Sequence, residues 1–164
     1  MKAEDPLLVA LATFPSQVDQ LSQPNRIPSW AGLDMALPAA YPRRPVGVIT
    51  FLNIRPDNKH LEIDSTWLAT STQCTAINAE AKLLLLNNAL ETLECVAVEF
   101  RTHWHNRRSR AAIAALGAKQ DGVLRNHDVW RDATVRDVVV FSIIDREWPT
   151  VRLGLREKVR SFTE

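Results

Sequence analysis

A loop of polar and small residues, Gln73–Ala76, precedes the best helix pattern of the chain, Ile77–Leu93, which is rich in Ala, Leu, Lys and Glu. The N-terminus of a helix presents unpaired backbone N–H groups and roughly half a positive charge. Such an end favours a bound phosphate without help from side chains. The segment therefore predicts an anion site, although it also fits an amphipathic helix preceded by an ordinary loop.

Two further pairs of side chains have spacings that could support chemistry. Glu62 and Asp64 lie two residues apart in a predicted strand, so they share a face, and each could raise the other's pKa if both are partly buried. Asn106 is the expected N-cap of a short helix, and Ser109 follows at the same end of that helix. Asn106 could equally be a simple cap, and Ser109 a solvent-facing residue of the first turn.

Other reactive side chains lack the partners that a site requires. His103 and His105 have no third His or Cys nearby in the sequence, so no metal site is predicted. No histidine is positioned by the sequence to activate Cys74, which is interpreted as a loop residue. A basic cluster begins the second helix: Arg107, Arg108 and Arg110. It fits a solvated helix face or a contact with cofactor phosphates.

Hydrophobic periodicity after Pro45 indicates the elements that position these residues. The predicted strands are Val46–Leu52, Leu61–Leu68, Cys95–Arg101, Val123–Trp130 and Val135–Ile144. Helices are expected over Ile77–Leu93, from Asn106 to Gly117 and from near Asp145 onward. The inner face of the first helix is expected to carry Ile77, Ala81, Leu84 and Leu85. That of the second is expected to carry Ala112, Ile113 and Leu116. This order predicts an α/β domain with a mixed sheet, in which Val96 and Val98 share a face.

The first 45 residues are interrupted by seven of the nine prolines and form a divergent N-terminal segment, residues 1–45, before the core domain, residues 46–164. Within that segment, Leu7–Thr13 and Trp30–Leu37 could each form a short helix. The one tyrosine of the chain, Tyr41, also lies there, so no catalytic role is assigned to it.

Composition excludes several classes of protein. The formal net charge of +1 argues against binding nucleic acid through bulk electrostatics. No apolar run is long enough to span a bilayer, and the N-terminus has no signal-peptide pattern. The two cysteines, Cys74 and Cys95, are too few for a disulfide framework, and a cytoplasmic location is expected.

At this point the residues resemble a known family. The stretch Gln73–Lys82 is similar to the cofactor loop and helix of GNAT acetyltransferases, and the nearest branch is the Rim-type group, which acetylates the N-termini of ribosomal proteins. Asn106–Ser109 with the following Leu116–Ala118 resembles the Asn-x-x-Ser helix and Leu-Gly-Ala of that branch. Two further matches are Glu62-Ile63 before Trp67-Leu68 and Gly122-Val123-Leu124-Arg125.

The resemblance implies a GNAT-like α/β (α+β) fold, a mixed and mostly antiparallel twisted sheet with a splayed parallel strand pair and flanking helices, its N-terminal part shortened. Leu61–Leu68 and Cys95–Arg101 would form the splayed pair, with the pantetheine arm of acetyl-CoA in the gap and the pyrophosphate over the loop before Ile77. The cofactor-binding residues so implied are Leu68, Ala69, Gln73, Cys74, Thr75, Ala76, Ile77, Asn78, Asn106 and Ser109. No metal is implied.

The chemistry implied is direct transfer of an acetyl group from acetyl-CoA to a primary amine. Ser109 would hydrogen-bond the departing sulfur, Asn106 would fix cofactor and loop, and Glu62 would be the base, unless it is only a half-exposed strand carboxylate. An α-amino group has a pKa of about 7.7–8.0 against about 10.4 for lysine, so an α-amine needs less help from a base. A protein or peptide N-terminus is therefore the expected acceptor, with a small amine as the other possibility.

The sequence departs from the family pattern at two positions. Glycine is expected near positions 74 and 76, where the chain has Cys74 and Ala76, and an added Cβ matters only where the backbone needs a positive φ. With the short N-terminal segment, this leaves a catalytically silent GNAT-like binding module with weakened acetyl-CoA affinity as the alternative function. A sheet edge left open by that segment could be covered in a homodimer.

Overall fold

The computed structural model describes residues 10–11 and 47–162, and everything below concerns these residues. Six strands and three helices occur in them. The strands are β1 (Ala10–Leu11), β2 (Gly47–Arg55), β3 (His60–Leu68), β4 (Ala97–His103), β5 (Lys119–Val129) and β6 (Val135–Ile144). The helices are α1 (Ile77–Asn87), which a π-helical stretch continues over Asn88–Thr92, α2 (Arg107–Ala114) and α3 (Trp148–Arg160).

The strands form one mixed sheet in the order β1-β2-β3-β4-β6-β5. Two hairpins, β2·β3 and β5·β6, are antiparallel, as is the β4·β6 pair. The β3·β4 pair in the middle is parallel, because α1 connects the two strands by a crossover. The α/β fold with a mostly antiparallel sheet and one central parallel pair, predicted from the sequence, is confirmed.

One face of the sheet packs on the helices to form the core. From β3, β4 and β6 come Leu61, Ile63, Val98, Phe100, Val139, Phe141 and Ile143, and from the helices come Ala81, Leu85, Leu86, Ile113, Trp148 and Leu155. Because alternate residues of a strand point to opposite faces, this assignment places Glu62, Glu99 and Arg101 on the other face. The core thus fixes which side chains are available on each side of the sheet.

Element boundaries differ from the predicted ones by a few residues. Strand β4 begins at Ala97 rather than Cys95, so Val96 lies before the strand and is 46% exposed, while Val98 is fully buried. The prediction that these two valines share a face is therefore wrong. The helix prediction for 77–93 holds, with its last turn widened to π-helical hydrogen bonding.

Two other inner-face predictions are wrong. Leu84 is 54% exposed, because the apolar stripe of α1 runs through Ala81, Leu85 and Leu86. Ala112 is exposed, and only Ile113 and Leu116 of the predicted α2 stripe are buried. The predicted stop of this helix is confirmed, since Gly117 has φ +95°, a conformation that glycine adopts without a steric penalty.

The N-terminal predictions are mostly outside the described residues. Ala10 and Leu11 pair in parallel with Val48 and Ile49, so a helix over Leu7–Thr13 is wrong at those two positions. The remainder of that helix, the Trp30–Leu37 helix and Tyr41 lie outside the described residues. In the described part of the chain, no helix has both the length and the apolar character needed to cross a membrane.

Candidate functional site

The parallel strands β3 and β4 are joined over only three residues each and then separate. His60, Leu61 and Glu62 pair with Ala97, Val98 and Glu99, and no pairing continues beyond them. The later part of β3 is open to solvent, with Thr66 exposed and Trp67 62% exposed. The predicted splay of the central strand pair is therefore present, and we call the space between the separated strands the wedge.

A β-bulge shapes the β3 wall of the wedge. On β2, Val48 pairs with Trp67 and Thr50 with Asp64, so β3 has one residue more than β2 between these two pairs. Ser65 lies in this bulge with φ +51°. A second bulge lies on β2 beside Asn53, which has φ +46°. Both non-glycine residues adopt a left-handed backbone that regular strand pairing does not require.

Glu62 lies at the closed end of the wedge, on the last paired residue of β3. Its side chain is almost fully buried, and its Oε2 accepts a hydrogen bond of 2.6 Å from Asn53 Nδ2. Arg101 Nε lies 3.6 Å from the same oxygen. The bulge on β2 therefore turns Asn53 onto this carboxylate, and the half-exposed strand carboxylate considered from the sequence does not describe Glu62.

The pKa of Glu62 lies above its usual value of 4.5. Burial is the largest cause, and the negative charges of Asp64 and Glu99 add to it, while the Asn53 hydrogen bond and the Arg101 charge oppose it. The predicted influence of Asp64 on the pKa of Glu62 is thus present, but it is smaller than that of burial. A carboxylate with a raised pKa is suited to take up a proton.

Arg101 connects Glu62 to a second carboxylate. Its Nε and Nη2 donate to Glu99 Oε2 at 3.1 and 2.9 Å, and His60 Nε2 lies 3.3 Å from Glu99 Oε1. The sequence analysis had not singled out Asn53, Glu99 or His60 for this site. Glu99 and Arg101 stand at alternate positions of a predicted strand, a pattern that could have indicated a polar face opposite the core.

The open end of the wedge is bridged by Gln73. Its Nε2 donates to the Leu68 carbonyl at 3.2 Å, and its Oε1 accepts from Arg108 Nη2 at 3.1 Å. One amide side chain therefore joins the end of β3 to the first turn of α2. Among the three arginines of the predicted basic cluster, Arg108 is the one that reaches the loop before α1.

The backbone of that loop explains where the missing glycines matter. Cys74 has φ +61°, the left-handed conformation that favours glycine, and its side chain is exposed. Ala76 has φ −59° and ψ −25°, ordinary helical values. The expected strain from a Cβ therefore falls at Cys74 and not at Ala76.

The N-terminus of α1 faces this loop. Ile77 N–H donates to Thr75 Oγ1 at 3.4 Å, and the Thr75 hydroxyl donates to the Thr72 carbonyl at 2.7 Å. The Asn78 side chain contributes a buried Oδ1 that has no hydrogen-bond partner among the described residues. A buried acceptor without a partner in the first turn of a helix is a position where a ligand N–H could bind.

The α2 helix begins as predicted. Asn106 is the N-cap, and its Oδ1 accepts from the Ser109 N–H at 3.1 Å. Both residues lie at the same end of α2 as Arg108, so the Arg108–Gln73 bond brings that end to the loop before α1. Within the described residues, no contact joins Ser109 to Glu62, which lies at the closed end of the wedge.

A further residue missed by the sequence analysis is Lys82, which is 5% exposed. Its Nζ donates to Thr66 Oγ1 at 2.7 Å and lies 5.4 Å from the centre of the Phe100 ring. Burial lowers the pKa of Lys82 to about 8, opposed by the charge of Asp64. A signal existed, because Lys82 falls on the same helical stripe as Leu85 and Leu86.

No group of three or more His, Cys, Asp or Glu side chains that could hold a metal occurs in residues 10–11 and 47–162. The rings of His103 and His105 lie at the end of β4 with their centres 5.4 Å apart and their planes tilted by 59°. A cavity of about 630 Å³ lies elsewhere, between the end of α2 and α3, and is lined by Gly117, Lys119 and Val151 among others. None of the residues that line this cavity belongs to the wedge.

Solved structures to which this chain is similar include proteins described as acetyltransferases. A protein from T. thermophilus classed as an acetyltransferase is 37% identical, with 68% of this chain and 58% of that chain covered and a TM-score of 0.64. A GCN5-related N-acetyltransferase from Brucella melitensis is 26% identical, with coverages of 70% and 51% and a TM-score of 0.67. RimJ of Mycobacterium smegmatis, in complex with CoA-disulfide, shares the fold at 23% identity, with coverages of 72% and 56% and a TM-score of 0.63.

The sequence profile of the acetyltransferase (GNAT) domain matches residues 16–119. The chain therefore belongs to the GNAT acetyltransferase family, as the motifs around Gln73 and Asn106 indicated. A comparison with curated protein sequences finds no significant match. The chain spans less than two thirds of the length of the solved structures named above.

Proposed function

We propose that this chain is an acetyl-CoA-dependent N-acetyltransferase that transfers the acetyl group directly to a primary amine, and that its acceptor is a protein or peptide N-terminal α-amine. One observation carries this proposal. Strands β3 and β4 separate directly after Glu62 and Glu99, and the chain leaves the open end of β3 to enter the N-terminus of α1.

The residues around the wedge fit acetyl-CoA. An extended arm that contains amides can pair with strand backbone that lacks a neighbour, as β3 does beyond Glu62 on its β4 side. The pyrophosphate would lie against the N-terminus of α1, with Arg108 as a charged partner within reach of the loop. Leu68, Ala69 and the 73–78 segment would then contact the cofactor, as would Asn106. When bound, acetyl-CoA supplies an activated acyl group as a thioester.

Glu62 would act as the general base. An amine attacks a carbonyl only in its neutral form, so an ammonium acceptor must first lose a proton. Glu62 has a pKa raised by burial and lies at the closed end of the wedge, where its other contacts, Asn53 and Arg101, leave one carboxylate oxygen without a bond in the described residues. That free oxygen would accept the proton of the acceptor.

Ser109 would assist the departure of the thiolate. Its backbone N–H is bonded to the Asn106 cap, while its hydroxyl has no partner among the described residues. A hydroxyl held in the first helical turn can donate to a sulfur that gains negative charge. Asn106 fixes the position of that turn, so the cap and the donor act together.

The acceptor follows from charge and amine acidity. Glu62, Asp64 and Glu99 give this part of the sheet three carboxyl groups against two cations, Arg101 and Lys82. This balance attracts a cationic amine and disfavours an anionic acceptor. An α-amine, with a pKa of about 7.7–8.0, is partly neutral near pH 7.5 and suits a site with one base. The Rim-type motifs around Asn106 support the same acceptor.

Calorimetric titration with acetyl-CoA, with free CoA as the comparison, tests the first part of the proposal. Saturable binding at micromolar concentrations is expected. Thiol release is then measured with three acceptors: a peptide with a free N-terminus, the same peptide with a formylated N-terminus, and spermidine. Release with the free N-terminus alone supports the α-amine acceptor.

Other outcomes lead to different functions. Thiol release with spermidine and with neither peptide would replace the α-amine by a small-amine acceptor. No binding of acetyl-CoA up to millimolar concentrations would reject the enzyme and favour the silent GNAT-like binding module. A cytoplasmic location and a homodimer stay predictions.

A further inference from the structure

Lys82 contacts both strands of the wedge from the side of the sheet that faces α1. It projects from α1, donates to Thr66 on β3 and lies over the ring of Phe100 on β4. Both contacts fall beyond the last paired residues of the two strands, Glu62 and Glu99. The Lys82 ammonium therefore lies on the helix side of the gap, between the strands where they have separated.

The Lys82 ammonium is poorly satisfied for a buried charge. An ammonium has three N–H donors, and one acceptor, Thr66 Oγ1, is present within the described residues. The Phe100 ring adds a cation–π contact, and no carboxylate forms an ion pair with Lys82 there. A buried charge without an ion partner destabilises the folded chain, so a role in ligand binding would explain its position better than a role in folding.

Asn78 lies one helical turn before Lys82 on the same side of α1. Its buried Oδ1 is an acceptor without a partner in the described residues. An unused donor at Lys82 and an unused acceptor at Asn78 are complementary to an amide, which carries one C=O and one N–H. The two side chains thus present, on the same side of α1, the opposite halves of a hydrogen-bond pair.

We propose that Lys82 is a binding residue for the acyl-carrying arm of acetyl-CoA, where its ammonium donates to a carbonyl oxygen of the arm while Asn78 accepts from an amide N–H. This inference rests on the proposed function, because it assigns a binding role to side chains of α1 on the helix side of the same wedge. It adds side-chain recognition from α1 to the backbone pairing expected from β3. Thr66 keeps the ammonium directed towards the gap.

The charge of Lys82 is poised to change in the range where binding can be measured. Burial lowers its pKa to about 8. Among the neighbouring elements, β3 contributes the charge of Asp64, which opposes this shift, and β4 contributes the uncharged Phe100 ring. An ammonium donates a stronger hydrogen bond than a neutral amine. Affinity for acetyl-CoA should therefore fall as pH rises through about 8.

The test compares the binding of acetyl-CoA to the wild-type chain, Lys82→Met and a matched control, Lys119→Met, by calorimetry near pH 7. Lys119 is exposed, with 74% of its side chain accessible, and lies at the start of β5. Loss of a charge-assisted hydrogen bond predicts about tenfold to hundredfold weaker binding for Lys82→Met. Lys119→Met should bind as the wild type does.

Two readouts separate binding from a structural role. Without ligand, Lys82→Met should unfold at the same or a higher temperature than the wild type, because an underpaired buried charge is gone. Across a pH series, the step near pH 8 should disappear in Lys82→Met, although every other titratable group of the site, including Cys74, is retained. Lys82→Gln, which is polar and neutral, provides the same comparison if the methionine variant does not fold.

The outcomes can be told apart. If the wild-type chain binds acetyl-CoA and Lys82→Met binds it with the same affinity, this inference is overturned and the proposed function stays intact. Weakened binding accompanied by an equal loss of thermal stability would assign Lys82 to the fold and overturn it as well. No binding to the wild-type chain would reject the proposed function, and the inference with it.

Discussion

Glu62 and Lys82 are both buried and ionisable, and they approach the same wedge from different sides of the sheet, yet their surroundings differ. Glu62 has a hydrogen-bond donor in Asn53 and an opposite charge in Arg101. Lys82 has one hydroxyl and one ring. Burial shifts the pKa of each group so that its neutral form is favoured, and an opposite charge opposes the shift in both cases. For Glu62 that charge is Arg101, 3.6 Å away, whereas for Lys82 it is Asp64, which forms no ion pair with it in the described residues.

The comparison predicts opposite changes in stability when the partner of Glu62, Arg101, is removed and when Lys82 itself is removed. A paired charge belongs to a network, so removing a partner leaves another charge buried without compensation. A buried charge with too few partners lowers the free energy of unfolding by itself, so its removal should raise that free energy. Stability should therefore fall when Arg101 loses its charge and rise when Lys82 loses its charge.

The largest effect is expected when the charge of Arg101 is removed. Arg101→Met leaves Glu62 and Glu99 adjacent with no cation between them, and we expect a loss of about 2–4 kcal/mol in the free energy of unfolding at pH 7. Urea denaturation followed by circular dichroism measures it. The loss should shrink at acid pH, where Glu62, whose pKa is raised by burial, becomes protonated. An unchanged unfolding midpoint would show that the network does not hold this part of the sheet.

Glu62→Gln should lower kcat/KM for the acceptor on the order of tenfold to hundredfold, because the general base is gone. Gln keeps an acceptor for Asn53, so folding should be preserved. The raised pKa of Glu62 predicts the sign of the pH effect: wild-type stability falls as pH rises from 4.5 through the folded pKa, and the Gln variant lacks this fall. A pH–rate profile identical to that of the wild type would remove Glu62 from the chemistry.

Lys82→Met should raise the free energy of unfolding by about 1–3 kcal/mol at pH 7. The folded-state pKa, about 8, lies below the usual 10.5, so the cost of the buried ammonium is fully present below pH 8 and disappears as pH rises towards 10.5. The gain in the variant should decrease over that interval. Denaturation at pH 7 and at pH 10 provides the measurement, and a destabilised variant at pH 7 would break the contrast with Glu62.

The smallest effect concerns the loop at the open end of the wedge. Cys74→Gly relieves a left-handed backbone of its Cβ but increases the entropy of the unfolded chain, so a net gain below about 1 kcal/mol is expected. Ala76→Gly is the matched variant with ordinary helical φ, and it should lose about 0.5–1 kcal/mol. Thermal unfolding of both chains checks the signs. Equal losses would show that position 74 carries no strain.

The sequence allowed the hairpins, the Asn106 cap and the Gly117 stop to be predicted, because each depends on local periodicity or on one residue type. It also indicated Glu62 as a base candidate. The central parallel pair was predicted only from the resemblance to GNAT acetyltransferases. The network around Glu62 could not be predicted, because Asn53 and Arg101 reach it through a bulge and across a strand pair. Such contacts depend on register, which a hydrophobic pattern determines only to within the face of the strand.

The buried lysine was missed for a different reason. Lysine is usually exposed when it lies in a helix. The helix propensity of the α1 sequence does not reveal that the side of the helix with Lys82 is buried. The strained loop position was half predicted: the sequence indicated two missing glycines, and the backbone shows that Cys74 alone has a positive φ among these two. Family motifs identify positions, whereas the dihedral angles at those positions require the structure.

The two bulges of the β2·β3 hairpin have a consequence for how such a site could arise. Each strand has one additional residue, near Asn53 on β2 and near Ser65 on β3, and the two additions cancel, so the pairs at both ends of the hairpin share one register. Deleting Asn53 and Ser65 together would restore an unbroken ladder from Gly47 to His60, whereas deleting one alone would turn part of a strand over. Two compensating single-residue additions thus let the middle of the hairpin be irregular beside the wedge while the register at both of its ends is the same.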